Sequence, residues 1–333
     1  MSWWKKIIKI FLFLIFILVI ATAFLAYKKK PSSITYGMSF NVLYAKELGL
    51  DWQETYDAIL DDLKVRHIRL AAHWPMIEPV QGNYNFTEMD YQINRAEITG
   101  TEVILAVGRR LPRWPECHVP DWAKNLKPEE RNQAQLEYFE QVVERYKDSP
   151  AVKYWQVENE PYLELFAYEH CGELDVDLLD KEIALVRELD PTRSVIVTDS
   201  GNLGLWVEPY KRADIFGTSV YVYFWNPELG QFKTVLPAWS YRVKSNWLSL
   251  IYGKKPVFLI ELSAEPWLVA PVRDVPVEAQ FSRMDLEKFT NILEYAENTR
   301  FDRQYLWGAE WWYWLKQNGY EEFWEKGKQL YMK

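Results

Sequence analysis

Glu160 closes the run Tyr154-Trp155-Gln156-Val157-Glu158-Asn159-Glu160-Pro161, in which a β-type segment ends in Asn-Glu-Pro with a carboxylate at its tip. The pattern recurs downstream, where Pro256-Val257-Phe258-Leu259-Ile260 runs straight into Glu261. Two carboxyl groups at the ends of buried-type strands suit the cleavage of a glycosidic bond, whose transition state places positive charge on the sugar ring. One group must be protonated, to supply the leaving oxygen. The other must be ionised, to stabilise or attack the anomeric carbon, so their surroundings must hold their pKa values apart. Where the second group attacks, the two carboxyls lie about 5 to 5.5 Å apart.

Glu160 is expected to be the acid, because Asn159 beside it is an amide able to bond the hydroxyl next to the reacting carbon. Glu261 is expected to be the nucleophile, because an unbroken apolar strand fixes its backbone. Other glutamates compete. Glu265 lies just past the same strand, and Glu310 follows the last predicted strand as a rim residue or sugar contact. Glu158 points the same way as Glu160 if the backbone is extended there. Arg109, Arg110 and Arg113 either pair with nearby acids or recognise an acidic sugar or phosphate, since arginine binds carboxylates bidentately. His73, beside Trp74, reads as a site residue or as a hydrogen-bonded structural histidine. Trp74, Trp114, Trp225, Trp267, Trp307, Trp311 and Trp312 all follow predicted strands, and several of them are expected to line a cleft.

Positioning these groups falls to an alternation of short apolar runs and amphipathic stretches. Strands are expected at 36–40, 67–71, 102–107, 152–157, 194–198, 214–221, 256–260 and 303–307. Helices are expected near 51–64, 88–99, 128–147, 175–189, 205–212, 237–252 and 277–298, with a final amphipathic segment to 331. Eight strand–helix units imply parallel β structure with crossover helices, an α/β chain folded as a (β/α)8 TIM barrel. A doubly wound sheet would show a glycine-rich first turn, whereas the first strand here leads into Asn41-Val-Leu-Tyr44. In a barrel the active site lies at the C-terminal ends of the strands. The fourth and seventh strands, which carry Glu160 and Glu261, then face each other across one mouth. Cys117 and Cys171 fall in the loops after the third and fourth strands, neighbours on that rim, and are either a disulfide or two separate thiols.

These motifs resemble the clan A retaining glycoside hydrolases, the (β/α)8 group that includes glycoside hydrolase family 5. The resemblance rests on Trp155-Gln-Val-Glu-Asn-Glu-Pro161, Phe258-Leu-Ile-Glu261 and Tyr305-Leu-Trp307-Gly308. It is joined by His67-Ile-Arg69-Leu, His73-Trp74-Pro75, Ile77-Glu78-Pro79 and Gly82-Asn83-Tyr84. It implies a double-displacement mechanism with Glu160 as acid/base and Glu261 as nucleophile. It further implies that Asn159 binds the sugar 2-hydroxyl, that Arg69 and Tyr221 steady the nucleophile, and that Trp307 forms the sugar platform. Tyr223 shares a strand tip with Tyr221 and competes for its role. The third strand leads to Gly108-Arg109-Arg110 rather than to the paired histidine of family 5 cellulases, which argues against a cellulase. Alternatives to hydrolysis are a glycan-binding barrel without catalysis and a transglycosylase.

The first thirty residues differ from the rest. Ile10 to Tyr27 is an uncharged apolar run long enough to cross a bilayer as one helix. Residues 7–27 are therefore expected to form a transmembrane anchor, with 31–35 as linker and 36–333 as the catalytic domain. Ala21-Thr22-Ala23 has the small-x-small form of a signal-peptidase site, so secretion by cleavage after Ala23 is the alternative. The expected location of the barrel is extracytoplasmic. Residues 1–30 carry Lys5, Lys6, Lys9, Lys28, Lys29 and Lys30 and no acid, so the net charge of −8 becomes −14 for the remainder. Such a domain does not suit nucleic acid; the expected partner is an oligo- or polysaccharide. A carboxylate pair implies no cofactor, and four scattered histidines with no CxxC make no metal signature.

Overall fold

The computed structural model describes residues 3–26, 31–113, 116–226, 228–268 and 270–332, and the side chains of all of these except 5, 14–20, 23, 25 and 165–167. Ten strands are present among them. In chain order they are β1 (Thr35–Ser39), β2 (His67–His73), β3 (Glu102–Gly108), β4 (Val152–Val157), β5 (Ser194–Asp199), β6 (Ile215–Val220), β7 (Tyr223–Asn226), β8 (Gly230–Lys233), β9 (Val257–Ser263) and β10 (Arg303–Trp307). Eight of them close into a parallel barrel in the order β1-β10-β9-β6-β5-β4-β3-β2. The expected TIM barrel is thus present, and β4 and β9 are its fourth and seventh strands. An antiparallel hairpin, β7–β8, stands apart from the barrel after β6 and was not anticipated.

Strand alternation sorts the core into two clusters. Ile104, Ile196, Ile215, Phe258, Ile260 and Tyr305 form the inner one, with Tyr154 packed against it. A larger cluster between strands and helices takes the intervening positions, among them Leu105, Val197, Leu259 and Leu306. Successive side chains of a strand point to opposite faces, so one strand feeds both cores. Gly37 makes room in the lumen, since a Cβ there would meet the Tyr305 ring at 2.4 Å.

Caps explain where helices begin. The side chains of Asp51, Asp175 and Asp285 accept the backbone N–H groups that open the helices Trp52–Asp61, Val176–Leu189 and Leu286–Asn298. The expected single helix over 277–298 is two, Val277–Arg283 and Leu286–Asn298, because Asp285 caps a new start. The final segment is likewise two, Ala309–Gln317 and Glu322–Tyr331, interrupted at Gly319 with φ 89°.

The expected membrane segment coincides with a helix, Trp3–Ala26, though many of its side chains and residue 27 lie outside the described residues. Among the described residues no helix is long and apolar enough to cross a membrane.

Candidate active site

The barrel mouth begins where the lumen turns polar. Two positions beyond Tyr154 and Ile196 come Gln156 and Thr198, both fully buried. Arg69 on β2 joins this layer and organises it. Its Nε donates to Gln156 Oε1 at 2.7 Å, its Nη1 to Glu261 Oε1 at 2.8 Å and its Nη2 to Asn159 Oδ1 at 2.7 Å. The Tyr221 hydroxyl donates to the other Glu261 oxygen, Oε2, at 3.1 Å. The Glu261 carboxylate is therefore gripped on both oxygens, by a charge on one and a hydroxyl on the other. A guanidinium this deeply buried demands such a partner, because losing it would strand a charge in the interior.

Strict alternation would not deliver Glu261 to this place. Phe258 and Ile260 belong to the lumen and Leu259 to the outer core, so the next residue should face outward. The ladder slips here against both neighbours: Thr218 pairs with Leu259 but Ser219 with Glu261, and Gln304 pairs with Leu259 but Leu306 with Leu262. The extra residue is a β-bulge, which re-aims a side chain. It turns Glu261 inward beside Ile260.

Glu160 is positioned by a different irregularity. Glu158 and Glu160 both adopt left-handed backbone, at φ 55° and 44°. Each such non-glycine residue costs about 1–2 kcal/mol, a strain that surrounding contacts must hold in place. One such contact is the Glu160 N–H donating to Thr198 Oγ1 at 2.7 Å. The carboxyl group interacts with Ser219, whose strand partner is Glu261, so the two acids converge on one spot. Burial pushes the Glu160 pKa well above the ordinary carboxyl range; the charges of Glu261 and Glu116 push it the same way, against smaller opposing effects of Ser219 and Arg110. Its Oε1 is buried and has no hydrogen-bond partner in the protein.

Asn159 Oδ1 is taken by Arg69, by Gln156 Nε2 at 3.3 Å and by the Thr198 hydroxyl at 3.5 Å. That leaves its Nδ2 as the donor for a ligand. Trp307 lies across the mouth, 6.3 Å from the Tyr221 ring centroid, with its buried indole nitrogen lacking a protein partner. Trp267, half-exposed, stands 5.6 Å from Tyr221.

Several expectations change. Trp74 is not at the substrate. It is fully buried, its Nε1 donates to Glu78 Oε2 at 2.7 Å, and its ring stacks on Tyr138 and meets Trp122 edge-on. Strand β2 runs on to His73, and Trp74 starts a short helix that turns its side chain into the outer core. Trp311 and Trp312 are packing residues too, bonded to Gln280 and to the Ala264 carbonyl. Trp225 lies under the Arg283 guanidinium, and Trp114 lies outside the described residues. Glu158 does not point with Glu160, because the backbone is not extended there. Its carboxylate accepts the N–H groups of Arg109 and Arg110 and the Gln135 amide. Gly108 lets it in, since a Cβ there would lie 2.6 Å from that carboxyl carbon.

Arg110 and Arg113 pair with acids. Arg110 Nε donates to Glu116 at 2.9 Å, and Arg113 Nη2 to Glu265 at 2.8 Å, with the Arg113 guanidinium over the Tyr44 ring. Glu265 is thereby occupied away from the Glu160–Glu261 pair. Glu310 accepts the Asn41 N–H at 2.6 Å, and burial pushes its pKa up to about 7. Tyr223 sits in the hairpin, where its hydroxyl accepts from Asn291, and it does not replace Tyr221. His73 is buried at the rim, edge-on to His118 with centroids 4.6 Å apart. Burial pushes His73 well below its usual range and His118 down to about 4. Cys117 and Cys171 are joined by a disulfide, with Cα atoms 5.4 Å apart. Glu116, Ser219, Thr198 and Gln156 escaped the sequence reading. Only Glu116 carried a signal, its place next to Cys117.

Comparison with known proteins bears on the fold. The model of glycoside hydrolase family 42, described as beta-galactosidase, matches residues 50–136. A beta-galactosidase of Lactobacillus acidophilus is 27% identical over 129 residues, covering 32% of this chain and 19% of that protein. The chain thus spans about a fifth of the length of the curated relatives it matches. Among solved structures, a GH5_18 protein from Bifidobacterium longum subsp. longum ATCC 55813 superposes with TM-score 0.58 at 14% identity, over 83% of this chain and 70% of that one. The beta-galactosidase from Rahnella sp. R3 superposes with TM-score 0.56 at 14% identity, over 84% and 52%. The chain is a (β/α)8 barrel, a fold it shares with these glycoside hydrolase structures.

Proposed function

We propose that this chain is a retaining O-glycosyl hydrolase acting on a β-linked oligo- or polysaccharide, held at a membrane by its N-terminal segment with the barrel extracytoplasmic. The observation that carries the reading is the Arg69 fork, which ties Glu261 and Asn159 into one rigid unit beside a buried, high-pKa Glu160. Glu261 attacks the anomeric carbon while Glu160 gives its proton to the departing oxygen, leaving a sugar–Glu261 ester. Glu160, now ionised, takes a proton from water, and the resulting hydroxide displaces Glu261 with net retention. Asn159 donates to the 2-hydroxyl, and Trp307 stacks against the sugar face.

Support for the enzyme class comes from the partial match to beta-galactosidases and the shared barrel. Support for the anchor comes from the apolar run Ile10 to Tyr27 with lysines on both flanks. The disulfide suits an oxidising compartment.

A panel of activated aryl β-glycosides tests the chemistry. Wild type should turn over at least one of them and Glu261→Gln none. Binding of glycans without any turnover would replace the hydrolase by a recognition protein. Azide should restore Glu160→Ala and yield a β-glycosyl azide; an inverted product would exchange the roles of the two acids. Retention of the full chain in the membrane pellet after alkaline carbonate washing tests the anchor, and release would refute it.

A further inference from the structure

The helix Trp239–Tyr252 breaks the pattern of the barrel's outer shell. A surface helix normally buries one apolar face and shows water a polar one. Helix Pro128–Tyr146 does so, with Glu129, Glu130, Glu137, Glu140 and Glu144 outward. Helix Trp239–Tyr252 buries Tyr241, Arg242, Ser245 and Leu248, yet its outer face carries Trp239, Trp247, Leu250 and Ile251, with Tyr252 exposed at its end. Leu250 and Ile251 are 70% and 61% exposed, and Val235, just ahead of the helix, is 95% exposed. Such contiguous apolar surface marks an interaction site.

Its place in the fold names the occupant. The apolar N-terminal helix Trp3–Ala26 lies against this same helix, and Ala26 lines a groove with Val235, Leu236 and Trp239. Residues 27–34 join that helix to β1 and reach at most about 28 Å when fully extended. A barrel tethered that closely cannot leave the bilayer surface, and the flank beside the tether is the one that meets it. The composition fits the lipid–water boundary, where tryptophan and tyrosine concentrate and lysine stems reach outward. Lys254 is exposed directly beyond Tyr252, and Lys211 Nζ lies 5.9 Å from the Tyr252 ring.

We propose that the outer face of helix Trp239–Tyr252 is a membrane-contact surface that lays the barrel's flank on the lipid headgroup and upper acyl region. This rests on the reading of the N-terminal segment as a membrane anchor. Because Cys117 and Cys171 are paired, an engineered cysteine is the free thiol for a spin label. The full chain is reconstituted in nanodiscs of phosphatidylcholine and phosphatidylglycerol, with Leu250→Cys, Leu12→Cys or Glu137→Cys labelled in turn. Collision with dissolved oxygen is compared with collision with a water-soluble nickel chelate. The expected result is that oxygen dominates at positions 250 and 12 and nickel at 137. Nickel dominance at 250 with oxygen dominance at 12 would overturn the contact surface and leave the anchor standing. Nickel dominance at 12 would overturn the anchor and this proposal together. Shielding of 250 from both probes would mean that protein covers the face, and would also overturn it. Leu250→Glu with Ile251→Glu should move a label at position 247, introduced as Trp247→Cys, from oxygen to nickel dominance while the aryl-glycoside rate stays at the level of Trp247→Cys alone.

Discussion

Arg69 Nη1 lies 2.8 Å from Glu261 Oε1, and both side chains are almost wholly shut off from water. The same guanidinium holds Asn159 at 2.7 Å. One cation thus sets the position of the group expected to attack and of the amide expected to bind next to the point of attack. Replacing Arg69 by Met leaves Glu261 buried without its counter-charge. Breaking such a pair costs about 3–5 kcal/mol, which lowers the thermal midpoint by roughly 10 °C in a chain of this size. Calorimetry checks this, and a midpoint within a degree of wild type would refute the structural role.

Glu261→Gln keeps the side-chain shape and removes the charge that attacks in the proposed mechanism. The rate on an activated aryl glycoside is expected to fall by about 10³-fold or more, as when a covalent catalyst is lost. Stability should change far less than in Arg69→Met. Steady-state kinetics beside a melting curve separates the two effects.

In the proposed mechanism the protonated form of Glu160 is the active one, so activity should fall as pH rises through its raised pKa. The charge of Glu116 helps to raise that pKa, so Glu116→Gln should move the alkaline limb of kcat/KM to lower pH. An unmoved limb would exclude Glu116 from this role. The folded chain also binds the Glu160 proton more tightly than the unfolded chain, whose value is near 4.5. The associated stability is complete below that value and is lost as pH rises through the folded value. Glu160→Gln, which cannot ionise, should therefore gain in thermal midpoint relative to wild type as pH rises above the unfolded value toward the folded one.

Trp74 and Trp307 should separate cleanly. Trp74→Ala empties a fully buried site and should cost about 3–5 kcal/mol of stability. Trp307→Ala should leave the melting curve nearly unchanged but lower kcat/KM by roughly 2- to 10-fold, the value of one stacked aromatic contact of about 0.5–1.5 kcal/mol.

The disulfide spans 54 residues and pins the rim loop that carries Arg110 and Glu116 to the loop region after β4. Cys117→Ser with Cys171→Ser should lower stability by about 2–4 kcal/mol. Urea unfolding with and without reductant checks this, since wild type in reductant should match the double variant.

The barrel was legible because its signals are local. Apolar runs of strand length alternate with amphipathic stretches, and parallel strands covered on both faces are apolar nearly throughout. Glu160 and Glu261 stood out because a carboxylate at the end of such a run is anomalous on composition alone. Asp285 was visible in the chain, but its capping role was not, since only its bond to the Lys288 N–H shows that one helix has ended and another begun.

Orientation was another matter. Glu261 faces the mouth only because β9 slips against β6 and β10 together, a property of three strands that none of them carries alone. Glu158 and Glu160 part company through backbone angles imposed by Thr198, by the room at Gly108 and by the N–H groups after β3. Trp74 and Trp307 both belong to strand-end segments, yet one packs inward and the other lines the cleft. Residue type and period say where a side chain sits along an element. Which neighbour it meets depends on contacts between elements distant in sequence, and those arise only when the barrel closes.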